Sequence, residues 1–258
     1  MTKRSYAKVN IFLKIAGKRD NYHELVSRFV LVKNLFDTIS FEKDNCKEFT
    51  LEGNFGCTTQ QNTIYKAYQK LVDIDQKVEE YFKNYKVTVN KNIPEFAGLG
   101  GGSSNCATFI NMVNTQCELN LSKDQLSQIG ATIGADVPFF IYEYTSANVT
   151  GIGEIVEKFE EDELNIETIT PKILCNTGAI FTEFRENYYK EISKEYSTKL
   201  LNMKSIEILN SLSIEEANDL YLPSISCEPK LKEKYLELSN DYYFSGSGSS
   251  FFKIKKEQ

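Results

Sequence analysis

The chain has a single histidine, no tryptophan, and six cysteines that form no Cys-x-x-Cys pair. A zinc site draws on clustered Cys and His ligands, so none is expected. One imidazole also removes most Ser-His-Asp hydrolase mechanisms, unless His23 itself serves as the base. No apolar run approaches the ~20 residues of a membrane-spanning helix. Lys8 and Lys14 interrupt the apolar positions near the start, so no secretory signal is expected. The scattered cysteines then read as free, mostly buried thiols, and the chain as a cytoplasmic protein without a membrane partner. Positive charge is in deficit: 30 Lys and Arg stand against 36 Asp and Glu, a formal net charge of −6. That balance leaves no overall basic footprint for nucleic acid. Two phosphate-binding signatures are missing as well. There is no G-x-x-x-x-G-K-(S/T), which excludes a Walker A loop, and no opening G-x-G-x-x-G, which counts against a dinucleotide fold.

What is present is a glycine-rich stretch, Pro94-Glu95-Phe96-Ala97-Gly98-Leu99-Gly100-Gly101-Gly102-Ser103-Ser104-Asn105. Gly and Ser clusters are commonly turns or linkers. This one is short, carries Leu99 as an apolar anchor, and lies between a strand-like run (Tyr85–Asn90) and a helix-like run (Cys106–Leu119). Bare backbone entering a helix presents N–H groups to an anion, and the positive end of the helix dipole favours negative charge there. The stretch therefore points to phosphate chemistry.

At 258 residues the chain suits one large domain or two smaller ones. Val9, Ile11, Leu13 and Ile15 alternate with Lys8, Asn10, Phe12 and Lys14, the pattern of a half-buried strand. Gly17–Asn21 reads as a turn, and Val26–Phe41 as one or two strands. Phe49–Leu51 adds another short strand. Asn62–Phe82 has helical spacing, with Asn62 or Thr63 as N-cap. Ser122-x-x-Gln125 has the form of a capping box opening a further helix that ends near Gly134. Strands are expected at Ala147–Val149, Glu154–Phe159 and Lys172–Asn176, and helices at Thr182–Tyr189, Lys204–Leu212 and Lys230–Leu238. The chain closes on a Gly-Ser turn, Ser245–Ser250, between short strands. Strands and helices mix without regular βαβ alternation, which argues for an α+β sandwich and against a doubly wound sheet. The acidic run Glu160–Glu163 is a candidate domain boundary.

Three segments fall in order: Ala7-Lys8-Val9-Asn10, the Gly98–Ser104 loop, and Ser245-Gly246-Ser247-Gly248. In this order they resemble the GHMP kinase superfamily, the small-molecule kinases for sugars, mevalonate and homoserine, over nearly the whole chain. The stretches Tyr6–Leu13 followed by Gly17-Lys18-Arg19 and Tyr22-His23-Glu24-Leu25, then Ala97–Asn105, and Gly134–Phe140 narrow the likeness to the branch whose acceptor is 4-diphosphocytidyl-2-C-methyl-D-erythritol. The resemblance implies a two-domain GHMP kinase fold. Residues 1–158 would form an ATP-binding domain like that of ribosomal protein S5, and residues 159–258 an α/β sandwich domain. It implies ATP and the cytidyl compound as substrates, Mg²⁺ with the ATP, phosphorylation of the acceptor 2-hydroxyl, and a monomer or weak homodimer. No metal ligand can be assigned.

By the same resemblance, Lys8 and Asp136 are the catalytic pair. Asp136 would accept the hydroxyl proton, and Lys8 would keep that carboxylate ionised. Pro94, Ala97, Gly98, Leu99, Gly100, Gly101, Gly102, Ser103 and Ser104 would hold ATP. Asn10, Tyr22, His23, Phe181, Ser247 and Gly248 would contact the acceptor, with Tyr22 and His23 taking the cytosine. On pattern alone, Lys8 is an exposed strand residue, Asp136 a turn residue, Phe181 a helix-start packing residue, and Ser247-Gly248 a plain hairpin turn. The chain departs from the family in a shortened turn ahead of Tyr22, in Glu95 and Phe96 where small residues are usual, and in Cys106 where Ala is common. Two other readings fit the same motifs: another GHMP kinase of homoserine or mevalonate type, and a non-catalytic nucleotide or sugar sensor.

Overall fold

The computed structural model describes residues 1–19 and 22–255, with Tyr22 described in its backbone only. Strands β1 (Thr2–Arg19), β2 (Tyr22–Lys43) and β3 (Leu51–Gly53) are followed by helices α1 (Thr63–Ile74) and α2 (Lys77–Phe82) and by strand β4 (Tyr85–Asn90). Helices α3 (Gly101–Gln116), α4 (Lys123–Ala131) and α5 (Val137–Tyr142) come next, then strands β5 (Ser146–Gly151), β6 (Ile155–Lys158) and β7 (Ile166–Ile169). Helices α6 (Thr177–Glu183), α7 (Lys194–Asn202), α8 (Ser205–Ser211), α9 (Ile214–Ala217), α10 (Tyr221–Cys227) and α11 (Lys230–Leu236) precede the short strands β8 (Tyr243–Phe244) and β9 (Phe251–Ile254). The fold is α+β, as expected. Its contacts divide into two compact units, one of residues 1–7, 33–95 and 100–143, the other of residues 8–32, 96–99 and 144–258.

In the first unit, β4 runs antiparallel to the Thr38–Lys43 half of β2, and β3 runs parallel to β4. Ile39, Phe41, Val87 and Val89 are buried on these strands. They meet an aromatic cluster in which Phe41, Phe82 and Phe109 lie with ring centroids 5.1–5.7 Å apart. Such edge-on and offset pairs add to the burial of their own area. Helix α3 packs against α1 and α5, and α4 against α5. Ser122 and Gln125 close the expected capping box on α4, and the Asn62 side chain caps α1 at Ile64 N.

In the second unit, the Leu25–Val30 half of β2 pairs antiparallel with β5, and β5 with β6. A second antiparallel sheet has the order β7-β9-β8. Its core gathers Leu13, Ile15, Ile180, Phe184, Leu220, Tyr221, Leu231, Phe244 and Phe251. Arg28 is fully buried here, donating to Asn148 Oδ1 at 2.6 Å and to Leu201 O at 2.9 Å, with its guanidinium 3.3 Å above the Phe159 ring.

Several local expectations need correction. β1 continues through Gly17, Lys18 and Arg19, where a turn was expected; Arg19 is held in line by ion pairs to Glu24 and Glu154. Asp20 and Asn21 lie outside the described residues. The helix expected over Asn62–Phe82 is two helices, because Asp75 turns extended (φ −150°) and its carboxylate accepts Lys77 N at 2.9 Å, so it ends one helix and opens the next. No strand forms at Lys172–Asn176: Asn176 caps α6 through Ala179 N, and β7 lies upstream, at Ile166–Ile169. Helix α6 starts at Thr177, ahead of the expected Thr182, and continues as a π-helical turn over Phe184–Tyr188. All six cysteines are free, but only Cys106, Cys117 and Cys175 are buried; burial pushes the Cys117 thiol up to about 11 and Cys175 to about 12.

Candidate active site

β1 was expected to be buried on one face only. Instead Lys8 is 3% exposed and Asn10 1%. A buried ammonium must be met by acceptors, since its desolvation is otherwise costly. Lys8 Nζ donates to Asn10 Oδ1 at 2.6 Å and to Gly98 O at 3.1 Å, and it stands 4.5 Å above the Phe29 ring. Asn10 lies two residues along, on the same strand face, which is why the pair can meet. Its Nδ2 donates to Ser27 Oγ at 3.0 Å, and the Ser27 hydroxyl donates in turn to Phe12 O. That chain fixes which way the Asn10 amide points, so Oδ1 faces the lysine.

The start of the glycine loop belongs to this same cluster. Lys8 N donates to Leu99 O at 3.0 Å, and Ser250 N donates to Ala97 O at 3.1 Å. Leu99 is 1% exposed, the buried anchor the loop called for. Gly98 has φ +73°, and a Cβ there would come within 2.0 Å of Ser245 O. Ser245 Oγ donates to Gly98 O at 3.0 Å. One carbonyl thus accepts from both Lys8 and Ser245. Further along the Gly-Ser turn, Ser247 Oγ pairs with Thr177 Oγ1 at 2.8 Å, and Gly248 has φ +85°. The start of the loop (Phe96–Leu99), Lys8, Asn10 and the Ser245–Gly248 turn come together in the second unit.

The rest of the loop opens helix α3 in the other unit. Gly100 is the left-handed N-cap (φ 70°, ψ 17°), and Ser104 N donates to its carbonyl at 2.8 Å. The first turn of a helix leaves its amides without intrahelical acceptors, so Gly101, Gly102 and Ser103 present N–H groups at the positive end of the dipole. Gly102 is exposed, and a Cβ there would meet nothing nearer than Thr63 Oγ1 at 3.9 Å. Ser104 is committed to the fold: its hydroxyl accepts from Ser5 Oγ at 2.8 Å. Pro94 is half-buried at the entrance to the loop.

A residue that the motifs missed holds this turn. Asp37 is fully buried and accepts from Asn92 N at 2.6 Å, Ile93 N at 2.8 Å, Lys91 Nζ at 2.5 Å and Asn105 Nδ2 at 2.9 Å. It ties the residues before the loop to the first turn after it. The available signal was a lone carboxylate inside the apolar run Val26–Phe41.

Asp136 lies in this unit, half-buried, immediately before α5. Its side chain does not cap the helix, although it occupies the N-cap position. The turn that carries it is closed by Val137 N donating to Gly134 O at 3.1 Å, and Gly134 lies beside Ser103, whose Oγ is 3.6 Å from the Cβ position of that glycine.

His23, on β2, lies in an aromatic cluster of the second unit. Its ring stacks on Phe181 at 5.3 Å and 19°, and it meets Phe184 edge-on at 5.5 Å. Tyr189 is tilted against it at 6.2 Å and carries the Lys18 ammonium 4.0 Å above its own ring. His23 is buried and its Nε2 has no hydrogen-bond partner. Burial lowers its pKa below the ordinary 6.5, helped by the positive charges of Arg185 and Lys18. A neutral imidazole with an unused ring nitrogen, packed among flat faces, suits a heterocycle with donor and acceptor edges. Phe181, within α6, packs its ring on His23; the Tyr22 side chain lies outside the described residues.

Comparison with known proteins agrees with these motifs. Residues 62–144 match the GHMP kinases N terminal domain. A relative from Sulfurimonas denitrificans named 4-diphosphocytidyl-2-C-methyl-D-erythritol kinase is 50% identical, over 99% of this chain and 97% of its own. A Campylobacter jejuni protein of the same name is 40% identical, over 98% of this chain and all of its own. Among solved structures, a 4-(cytidine 5'-diphospho)-2C-methyl-D-erythritol kinase superposes with a TM-score of 0.71 at 26% identity, covering 99% of this chain and 90% of that one. The Methanococcus jannaschii mevalonate kinase shares the fold, with a TM-score of 0.62 at 13% identity, over 99% of this chain and 90% of that one.

Proposed function

This chain belongs to the 4-diphosphocytidyl-2-C-methyl-D-erythritol kinases of the GHMP kinase group, and on that premise we propose how its residues perform the phosphoryl transfer. The reaction moves the γ-phosphoryl group of ATP to the 2-hydroxyl of 4-diphosphocytidyl-2-C-methyl-D-erythritol, in isoprenoid precursor synthesis. An O–P bond forms at the acceptor, the bond to the ADP oxygen breaks, and the hydroxyl proton leaves. The observation that carries the reading is identity of up to 50% to kinases of that name across nearly the full chain. A homoserine or mevalonate acceptor gives no use to the His23–Phe181 stack, since neither carries a nucleobase.

Phosphoryl transfer asks the protein for positioning and charge stabilisation more than for covalent help. The amides of Gly98–Ser103 hold the ATP phosphates, with the α3 dipole behind them. Lys8, held by Asn10 and Gly98 O, stabilises the charge that develops on the transferring group and the acceptor oxygen. Asp136 takes the hydroxyl proton. It stands half-buried immediately before α5, at the turn that lies beside Ser103 of the loop. His23 reads the cytosine edge, and Phe181, stacked on it, offers an aromatic face.

Mg²⁺ bound to the ATP would supply further charge neutralisation on the phosphates. Among the described residues, no group of three or more His, Cys, Asp or Glu could hold a metal ion. That donor set suits an Mg²⁺ carried in on the nucleotide, with phosphate oxygens and water as most of its ligands. We assign the enzyme to the cytoplasm; no helix among the described residues is long and apolar enough to cross a membrane. Phosphorus NMR of the product tests the regiochemistry. A new monophosphate resonance coupled to the acceptor's C2 centre is expected, and phosphate on any other oxygen would overturn the assignment.

A further inference from the structure

Asn218 lies far from every motif in the sequence, yet it is 2% exposed and bonded at every polar atom of its amide. Its backbone is extended (φ −137°, ψ 109°) between α9 and α10 and bridges in parallel to Leu13 on β1. Asp219 N donates to Leu13 O at 2.9 Å, while the Asp219 carboxylate takes Ile15 N at 2.8 Å and pairs with the Lys14 ammonium. Asn218 is thereby laid against the same strand that carries Lys8 and Asn10.

From that position the amide reaches the Gly-Ser turn. Asn218 Nδ2 donates to Phe244 O at 3.0 Å and to Gly246 O at 2.9 Å; its Oδ1 accepts Leu220 N at 2.8 Å. The two carbonyls flank Ser245. Ser245 Oγ donates to Gly98 O, the carbonyl that also accepts from Lys8. Gly246 faces Asn10, where an added Cβ would lie 3.3 Å from Oδ1, which also accepts from Lys8. A planar amide with two donors and one acceptor suits this place. A carboxylate of the same shape would offer no donor to the two carbonyls.

We propose that Asn218 is a positioning residue for Lys8: by fixing the Ser245–Gly246 turn to β1, it sets Gly98 O and Asn10 Oδ1, two acceptors that help aim the ammonium. This rests on the phosphotransferase reading above, so its test includes a readout that needs no turnover. Asn218→Ser, Ser245→Ala and the double variant are compared with the wild type and with Leu231→Ala. Leu231 is buried in the same core and makes no bond to the turn. The readouts are kcat, the two KM values, melting temperature, and the acylation rate of the Lys8 amine without substrates, followed by peptide mass spectrometry.

Asn218→Ser is expected to lower kcat by about 10- to 100-fold, the scale of a small misplacement of a reacting group, with KM for ATP nearly unchanged. The double variant should be no worse than the poorer single one, because both act through one turn. Lys8 should acylate faster in Asn218→Ser and Ser245→Ala, and at the wild-type rate in Leu231→Ala. Additive kcat losses, or Lys8 labelling that follows melting temperature in all variants, would overturn the proposal. If Asn218→Ser does not fold, Ser245→Ala decides through Lys8 labelling alone, and an unchanged rate overturns the inference. A wild type that turns over no acceptor would sink the proposed function, while the labelling comparison would still decide the role of Asn218.

Discussion

The Lys8 ammonium donates to Asn10 Oδ1 at 2.6 Å from the neighbouring position on the same face of β1. The pair is buried, and Ser27 fixes the amide that receives the lysine. An ammonium aimed in this way reorganises little as charge develops in the transition state, which is where such groups gain most of their effect. Lys8→Met is expected to lower kcat by ~10²-fold or more while leaving KM for ATP nearly unchanged. Asp136→Asn should lower kcat by ~10²–10⁴-fold, the range for loss of a general base. Steady-state kinetics with both substrates varied checks both. Near-normal turnover in Asp136→Asn would remove that residue from the proton transfer.

Two glycines of one loop should respond in opposite ways. At Gly98 a side chain collides with Ser245 O at 2.0 Å in a left-handed backbone, so Gly98→Ala should lower the melting temperature and turnover together. At Gly102 a methyl group finds ordinary space, and Ala is favoured over Gly within a helix by roughly 0.5–1 kcal/mol. Gly102→Ala should therefore keep or raise the melting temperature while weakening ATP binding. Calorimetric titration with ATP beside a thermal scan separates the two. Unchanged ATP affinity in Gly102→Ala would mean that no phosphate comes close to that amide.

His23 gives a pH signature. Its pKa in the fold lies below 6.5, chiefly because it is buried, with Arg185 and Lys18 adding to the effect. Above the unfolded value, the imidazole is neutral in both states and its full contribution to stability is present. Below about pH 6.5 the unfolded chain takes up the proton first, so that contribution is lost as pH falls. Denaturant unfolding from pH 7.5 to 5 should show stability dropping, and His23→Ala should flatten this part of the drop. The same variant should raise KM for the cytidyl acceptor more than KM for ATP. Equal rises in both, in a folded protein, would make His23 structural.

Arg28 is a matter of stability. Burial lowers the guanidinium to about 10, with the Glu161 carboxylate, 3.8 Å away, acting against that. Leu201 O, Met203 O and Asn148 also depend on it as donor. Arg28→Met takes the donor from the buried Asn148 Oδ1 and the counter-charge from Glu161, whose carboxylate keeps its bonds from Ser146 and Ser205, and removing one member of a buried charged set costs about 3–5 kcal/mol. Urea unfolding should show a loss of that order, with both KM values unchanged in the folded fraction.

The chemistry was easier to read in the sequence than the geometry that supports it. The three motifs, the α1 and α4 caps and the Leu99 anchor are local patterns, and local patterns survive in a single sequence. Lys8, Asn10 and Lys14 read as the open face of a half-buried strand because alternation records polarity and not coverage. Their partners are Gly98, Ser27 and Asp219, the last 205 residues away from Lys14. Lys172–Asn176 read as a strand because Ile173, Leu174 and Cys175 are apolar; Cys175 is apolar because it enters the core from a loop, and Asn176 is there to cap α6. Asn218 was invisible as a support because it works through backbone groups, which leave no mark on the sequence that supplies them; Asp37, which takes two backbone amides and the Lys91 and Asn105 side chains, showed only as a lone carboxylate.

The most direct measurement is ADP release from ATP and Mg²⁺ by the purified protein, run side by side with 4-diphosphocytidyl-2-C-methyl-D-erythritol, homoserine and mevalonate. Release is expected with the cytidyl acceptor alone. Release with homoserine or mevalonate in its place would keep the fold and the Lys8 cluster and discard the cytosine role of His23 and Phe181; no release with any acceptor, despite measurable ATP binding, would contradict the central claim that this chain is a kinase.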